Sequence, residues 1–356
     1  SLYFPVYRTV GKLVVLLNPG RYRLEAENDR ASIDSRHVFE PFGSTADFNQ
    51  IHAREPQQRL FVRIFGMRKV AININYAPQL PYHFLVVPSP KKCDAPLLPL
   101  ENMRLVYRIF TVSHSDNLYF GFNSLGAWAS INYLHFHGLY YPFGNLPVMQ
   151  AQRFILFVEG GVRVSRLQGH PLQGLVFEST KTNSLTRGAY SFVGLLQGLN
   201  IPHVGIISRA QVYVFPGNRK MRTLSRCGIG FLEAAGILYA GDQTTFSALT
   251  ESDVAQELSL GSLSSQQFDQ LIKSWKASSQ VPTLQPFTSL FVNSAFNDYH
   301  ARQFILLGQK THQIIALSQK DADKLFVVLF SGPTGTLKTT FLTAIKNKIE
   351  EAGLSV

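Results

Sequence analysis

Residues 121–141, GFNSLGAWASINYLHFHGLYY, constrain the fold of this chain more than any other stretch. Near its end, two histidines, His135 and His137, alternate with apolar residues. Because successive side chains of a strand point to opposite faces, a strand here places both imidazoles on one face and Leu134 and Phe136 on the other. Two adjacent imidazoles can place a nucleophile and an assisting hydrogen-bonding group next to one phosphate. The alternative is a histidine pair on a half-buried strand with no chemical role.

Residues 121–136 follow, at nearly every position, the pattern G-[YF]-N-S-L-G-A-x-A-x-I-N-H-L-H-F-Q. The segment therefore resembles the signature of the GDP-hexose phosphorylase branch of the histidine-triad superfamily. In that register His135 falls on the histidine that attacks the α-phosphorus of the nucleotide. Tyr133 replaces the first histidine of the pattern, and His137 replaces its glutamine.

Other segments extend the resemblance over residues 1–276, most clearly residues 74–88, which retain Asn75 and His83 of the family pattern. The resemblance implies an α+β fold of the HIT/GalT type, an antiparallel sheet with flanking helices. It also implies two halves built on one repeated unit, although no repeat is visible in the primary sequence. The pattern of residues agrees, since strand-like stretches such as residues 7–17 alternate with helical spacing over residues 97–113 and 191–198.

The resemblance also implies a reaction and the residues for it. A neutral imidazole at His135 would attack the α-phosphorus of a GDP-sugar, expel sugar 1-phosphate and leave a guanylyl-histidine that inorganic phosphate resolves to GDP. No cofactor and no metal is expected. The candidate catalytic residues are His135 and His137, and the candidate nucleotide-binding residues are Asn75, His83, Asn123, Ser124 and Ser130. For Ser130, a local hydrogen bond within the strand is an equal alternative.

The chain departs from the family pattern where the chemistry lies. Besides Tyr133, Leu80 stands for a glutamate, Tyr82 for a glycine and Ile237 for the histidine of E-I-S-G-H. The lysine of P-F-x-x-x-K is also missing, with Ala46 or Asp47 in its place, which removes a favourable charge for phosphate. Framework glycines, prolines and apolar residues survive, while several polar residues of the site do not. The pattern predicts a catalytically degenerate protein kept as a subunit of an assembly, with an active GDP-sugar phosphorylase as the alternative.

A second nucleotide-like motif lies near the end of the chain, after an expected linker at residues 277–286. Within the extension, residues 287–356, the stretch GPTGTLKT matches a P-loop except that Leu337 replaces the last glycine. A bulky side chain there is expected to obstruct phosphate. The motif is either a fortuitous strand, turn and helix or the relic of a fused kinase-like domain. Its P-loop-like residues are Gly332, Gly335, Lys338 and Thr339.

The excess of basic over acidic residues predicts that the protein binds a partner macromolecule. Lysine and arginine number 34 against 23 aspartate and glutamate, a net charge of +11, while charged residues make up only 16% of the chain. This combination favours a surface buried against other protein subunits, or a polyanionic partner such as RNA. Two basic clusters are candidates for that surface: Arg219, Lys220, Arg222 and Arg226, and Arg54, Arg59, Arg63, Arg68 and Lys69.

The compartment is predicted from weaker features. Two cysteines, Cys93 and Cys227, are too few for a disulfide framework and lack metal-ligand spacing, which favours a reducing compartment. No apolar run reaches the length of a membrane span. The chain begins at Ser1 without methionine, which suggests a leader that was removed or left out of the numbering. We therefore expect an organellar protein, mitochondrial or plastid, with the cytoplasm as the alternative.

Overall fold

The structure is a computed structural model. It describes residues 6–17, 59–65, 68–75, 78–80, 82–90, 97–113, 115–127, 133–218 and 228–280, and two short strands at residues 303–305 and 326–328. The chain divides into two compact units, Ser1–Gln280 and Val281–Val356. In the second unit the described strands, β14 (Gln303–Ile305) and β15 (Phe326–Val328), pair in parallel.

A ten-stranded sheet organises the first unit. Its strand order is β3-β4-β5-β7-β6-β11-β12-β10-β9-β8, and every neighbouring pair is antiparallel. The strands are β3 (Arg59–Phe65), β4 (Arg68–Ile74), β5 (Phe84–Pro88), β6 (Leu118–Asn123), β7 (Phe136–Tyr140), β8 (Gln152–Glu159), β9 (Val162–Gln168), β10 (Leu175–Glu178), β11 (His203–Ile207) and β12 (Gln211–Pro216). The central strands β6 and β11 are buried at every position, because layers cover both faces of the sheet there.

The sheet is built from two halves of the same topology. The first half has the order β3-β4-β5-β7-β6, the second has β8-β9-β10-β12-β11, and they meet where β6 pairs with β11. Each half opens with a hairpin whose first strand carries a register irregularity, at Arg59/Phe61 in β3 and at Ile155/Phe157 in β8. The expectation of two repeated halves is therefore confirmed, although the repeat lies in backbone topology and not in sequence.

Three helices pack on one face of the sheet. They are α1 (Leu100–Ser113), α2 (Thr182–Gly198) and α6 (Ser265–Gln280), and each turns an apolar stripe toward one shared core. Helix α2 begins at Thr182, well before the stretch that the sequence predicted, and Thr186 Oγ1 donates to the Thr182 carbonyl inside its first turns. Helix α6 extends to Gln280, so the first residues of the expected linker are helical.

A smaller layer covers the opposite face. It contains a three-stranded sheet of order β1-β2-β13, with β1 (Val6–Val10), β2 (Leu13–Leu17) and β13 (Ile237–Ala240), and the helices α3 (Phe231–Ala234), α4 (Gln243–Ala248) and α5 (Glu251–Ser259). Residues 7–17 form a hairpin instead of one strand, because Gly11, at φ +60°, turns the chain. A second core forms under this layer.

Within the described residues, no helix is both long and apolar enough to cross a membrane. The two cysteines and the first basic cluster lie outside the described residues, as do Ala46, Asp47 and Arg54; their predicted roles stay predictions.

Candidate functional site

The two histidines lie at the start of β7, on the sheet face that the smaller layer covers. His135 immediately precedes the strand and His137 is its second residue. Their ring centroids are 4.9 Å apart, with the rings nearly perpendicular. Leu134 and Phe136 point the other way, into the helix-side core. The i, i+2 spacing thus brings the imidazoles together even though only one of them is inside the strand.

The His135 ring has a defined tautomer. Its Nδ1 lies 2.9 Å from the carbonyl oxygen of Tyr133. A carbonyl only accepts, so Nδ1 carries the proton and donates, and Nε2 keeps its lone pair. Burial lowers the pKa of His135, while the bond to Tyr133 opposes that shift. The ring is therefore a neutral imidazole, the state that a nucleophile needs.

A chain of hydrogen bonds sets the tautomer of His137. The backbone N–H of Gln79 donates to His83 Nδ1 over 3.1 Å, so the proton of a neutral His83 lies on Nε2. His83 Nε2 lies 3.0 Å from His137 Nδ1 and donates to it. The proton of a neutral His137 is therefore on Nε2. Asn75, which follows β4, places its amide group beside the same His83 ring.

Phe231, the first residue of α3, covers the His137 side of the site. Its ring stacks on His137 with 6.0 Å between centroids and 22° between planes. It also lies against Gly121, the cross-strand partner of His137, where an added Cβ would come within 2.1 Å of Phe231 Cγ. Sequence reasoning missed Phe231; the only local signal was a glycine inside a strand, which marks a close approach. The exposed fraction of His135 is only 4%.

Two further predicted residues end β6. Asn123 lies two residues beyond the Gly121–His137 pair, on the same face, and its amide nitrogen is 3.3 Å from the position of a Cβ on Gly230. Ser124 is engaged elsewhere: its Oγ accepts from the His203 backbone N–H over 2.8 Å and donates to the Leu125 carbonyl over 3.1 Å. Ser124 thus ties β6 to β11, whereas Asn123 shares the sheet face of the histidines.

Of four residues that depart from the family pattern, three are buried and one lies exposed in a turn. Tyr133, Leu80 and Ile237 are buried, at 4%, 2% and 1% exposure, the last two within the apolar core of the smaller layer. Tyr82 is 74% exposed and has φ +59°, a left-handed conformation that favours glycine. A glycine, as in the family pattern, adopts this backbone conformation without strain. The turn at Tyr82 directly precedes His83.

The second half of the sheet carries a different group at the matching position. In the first half, Phe136 pairs across the sheet with Val86, and in the second half Val212 pairs with Phe177. Both pairs lie in the helix-side core, so Phe136 corresponds to Val212. Counting along β12, His135 corresponds to Gln211 and His137 to Tyr213. Instead of histidines, these positions hold a closed polar network of four hydrogen bonds. Arg153 donates from Nη2 to Tyr213 Oη (2.7 Å) and from Nη1 to Glu178 Oε1 (2.6 Å), Tyr213 Oη donates to Gln211 Oε1 (2.6 Å), and Gln211 Nε2 donates to Glu178 Oε1 (2.7 Å).

The remaining predicted residues lie outside the described residues: Ser130, Gly332, Gly335, Lys338 and Thr339. Among the side chains that the structure does describe, no three of His, Cys, Asp and Glu converge on a place for a metal ion. The structure thus brings together His135, His137, His83 and Asn75, with Asn123 on the same face.

Comparison with known families decides the ancestry of this site. Residues 9–139 match the family described as GDPGP1-like, N-terminal domain, and residues 147–279 match its GDPGP1-like, C-terminal domain. The chain belongs to the GDPGP1-like family. The two matches coincide with the two halves of the sheet. In this chain the first matched range carries the histidines, and the second carries the closed polar network described above.

Curated relatives of this family match the chain over part of their length. GDP-L-galactose phosphorylase 2 of Arabidopsis thaliana is 33% identical over 150 residues, 40% of this chain and 34% of the relative. GDP-D-glucose phosphorylase 1 of Danio rerio is 32% identical over 117 residues, 33% of each chain. The chain thus matches about a third of the length of these relatives.

Among solved structures, yeast Ap4A phosphorylase Apa2 in complex with Ap4A superposes with a TM-score of 0.51 at 13% identity. The superposition covers 73% of this chain and 89% of the yeast protein. At that identity the likeness concerns the fold alone. It agrees with the HIT/GalT-like architecture predicted from the sequence.

Proposed function

We propose that this chain is a catalytically degenerate GDP-hexose phosphorylase-like protein, retained as an accessory subunit of a larger assembly. One observation carries the proposal: His135 is 4% exposed, and the Phe231 ring stacks on the neighbouring His137. In-line attack needs the α-phosphorus about 3–3.5 Å from the nucleophile, so substrate must first displace this cover.

The replaced positions support the same proposal. Leu80 and Ile237, which stand where the family has an acid and a histidine, are packed in an apolar core. Neither side chain can donate a hydrogen bond to a phosphate oxygen or accept a proton. The electrostatic stabilisation of a phosphoryl-transfer transition state depends on such groups. The fold therefore keeps its nucleophile and loses groups that would assist it.

The alternative is an active GDP-sugar phosphorylase, and one observation favours it. The hydrogen bond to Tyr133 leaves the Nε2 lone pair of His135 free, while His137 presents an Nε2–H donor. In that reaction Nε2 of His135 bonds to the α-phosphorus and the bond to the β-phosphate oxygen breaks, releasing sugar 1-phosphate with the electron pair. Inorganic phosphate then attacks the guanylyl-histidine and yields GDP.

Turnover separates the two functions. The purified chain is incubated with GDP-glucose or GDP-L-galactose and phosphate, and GDP, sugar 1-phosphate and a guanylyl adduct are quantified. We expect no product above the level of His135→Ala. His203→Ala is the matched control, because His203 is also a buried imidazole whose Nδ1 donates to a backbone carbonyl two residues earlier. Turnover that is lost in His135→Ala and kept in His203→Ala would overturn the proposal.

The setting of the assembly is part of the proposal. The net charge of +11 with only 16% charged residues supports a basic surface buried against partners, and the compartment that we propose is a mitochondrion or plastid. Imaging of the tagged protein in its own cells tests this, and a uniform cytoplasmic signal would contradict it.

A further inference from the structure

Strand β8 is a hydrophobic edge of the ten-stranded sheet. It stands last in the strand order, and β9 is its partner in the sheet. An edge strand presents backbone N–H and C=O groups on its outer side that the sheet does not pair. At eight residues, β8 is a long edge strand with a full row of such groups.

The side chains of β8 are apolar and exposed on both faces. Phe154, Ile155 and Val158 are 57%, 53% and 65% exposed, whereas Leu156 and Phe157 pack against the helix-side core. Natural edge strands usually carry charges, prolines or a cover that prevents pairing with other chains. Between Arg153 and Glu159, every residue of β8 is apolar. The strand therefore has the apolar composition of an interior strand, although it lies at the edge of the sheet.

Two arginines of β9 lie beside this strand, and Glu159 is the last residue of β8 itself. Arg166 lies opposite Phe154 and Arg163 lies opposite Val158 on β9. Arg166 pairs with Asp269, as Arg153 of β8 pairs with Glu178. Arg163 is exposed, and no acidic side chain of the described part of the chain lies within ion-pair distance of it. An unneutralised arginine next to apolar residues favours an acidic partner over a second copy of a chain with net charge +11.

We propose that β8 is a docking edge for an extended segment of a partner protein, in which apolar residues alternate with acidic ones. The segment adds a strand beside β8: its backbone pairs with the outer groups of β8, its apolar side chains cover Ile155 and Val158, and an acidic side chain meets Arg163. This inference rests on the proposed function as an accessory subunit and names the surface that serves it.

A synthetic decapeptide of alternating valine and glutamate, with blocked ends and a fluorescent label, probes this edge on the full chain. We expect saturable binding by fluorescence anisotropy, together with slower amide hydrogen exchange in β8. Because Val158→Glu replaces an apolar contact with a charge, it should weaken binding roughly tenfold or more. Leu199→Glu is the matched control, since Leu199 is an exposed apolar residue away from the sheet edge, and it should leave binding unchanged.

Charge reversal tests the chemistry of the occupant. Arg163→Glu should weaken binding of the valine–glutamate peptide and favour an alternating valine–lysine peptide, which the unmodified chain should bind less well. Lack of binding, or binding that Val158→Glu does not change, would overturn the proposal. A dimer in sedimentation equilibrium that Val158→Glu dissolves would also overturn it, by assigning the edge to a second copy. Turnover of GDP-sugar with intact peptide binding would overturn the proposed function and leave the docking edge in place.

Discussion

His83 Nε2 lies 3.0 Å from Nδ1 of His137, a residue 54 positions further along the chain. This hydrogen bond joins the turn between β4 and β5 to the strand that follows the candidate nucleophile. Because the Gln79 backbone N–H donates to the other nitrogen of His83, one backbone group determines the tautomers of two imidazoles.

Removal of His83 should therefore change His137. In His83→Ala we expect the Nδ1 of His137 to lose its donor and its two nitrogen chemical shifts to change, measured by ¹⁵N NMR of the imidazoles. The free energy of unfolding should fall by about 1–3 kcal/mol, because a buried Gln79 N–H loses its acceptor. His83→Gln, which restores an acceptor, should recover part of that stability. Unchanged His137 shifts in His83→Ala would contradict the relay.

Tyr82 predicts a stabilising substitution. It has φ +59° and is 74% exposed, so its side chain contributes little packing to offset a left-handed backbone. We expect Tyr82→Gly to raise the free energy of unfolding by about 1 kcal/mol, measured by urea denaturation. Asn200→Gly, at φ +53°, is the control and should gain less, because asparagine tolerates this conformation better. Equal gains at both positions would argue against strain at Tyr82.

Gly121 predicts a destabilising substitution. A Cβ there would lie 2.1 Å from Phe231 Cγ, so Gly121→Ala must displace the ring that covers His137. We expect a loss of about 1–3 kcal/mol in unfolding free energy. Combining it with Phe231→Leu should restore part of the loss. Gly194→Ala, in helix α2 with open space around it, should instead add about 0.5–1 kcal/mol. A neutral Gly121→Ala would mean that α3 does not pack there.

Two buried histidines predict loss of stability in acid. Burial lowers the pKa of His170 and of His203 to about 4, below the ordinary value of 6.5. Between these values the unfolded chain binds a proton at each site and the folded chain does not, so stability is kept above pH 6.5 and falls as pH drops toward 4.

Each histidine should cost about 3 kcal/mol across that window, since one pKa unit corresponds to about 1.4 kcal/mol. Urea denaturation at successive pH values measures the slope. His203→Gln should remove the part of the slope that His203 contributes, because glutamine does not titrate. An unchanged slope in His203→Gln would show that His203 is protonated in the folded chain.

The candidate site was partly readable from the sequence. The alternation around residues 134–137 places His135 and His137 on one face, and the family pattern distinguishes the nucleophile from its neighbour. Ser124 was predicted as a candidate phosphate donor, yet its hydroxyl bonds to backbone groups of His203 and Leu125. A serine at the end of a strand looks the same in sequence whether it faces a ligand or a neighbouring strand.

The sequence by itself determined the family, the α+β class and the pair of histidines, because these depend on local periodicity and on a contiguous motif. The tertiary structure alone decided that His83 bonds to His137, that Phe231 covers Gly121, and that β8 is an edge of the sheet. It also revealed the repeat of the two halves, which share strand order and register but no visible sequence repeat. Strand order and contacts between distant residues arise from the long-range pairing of the sheet, which local periodicity does not encode.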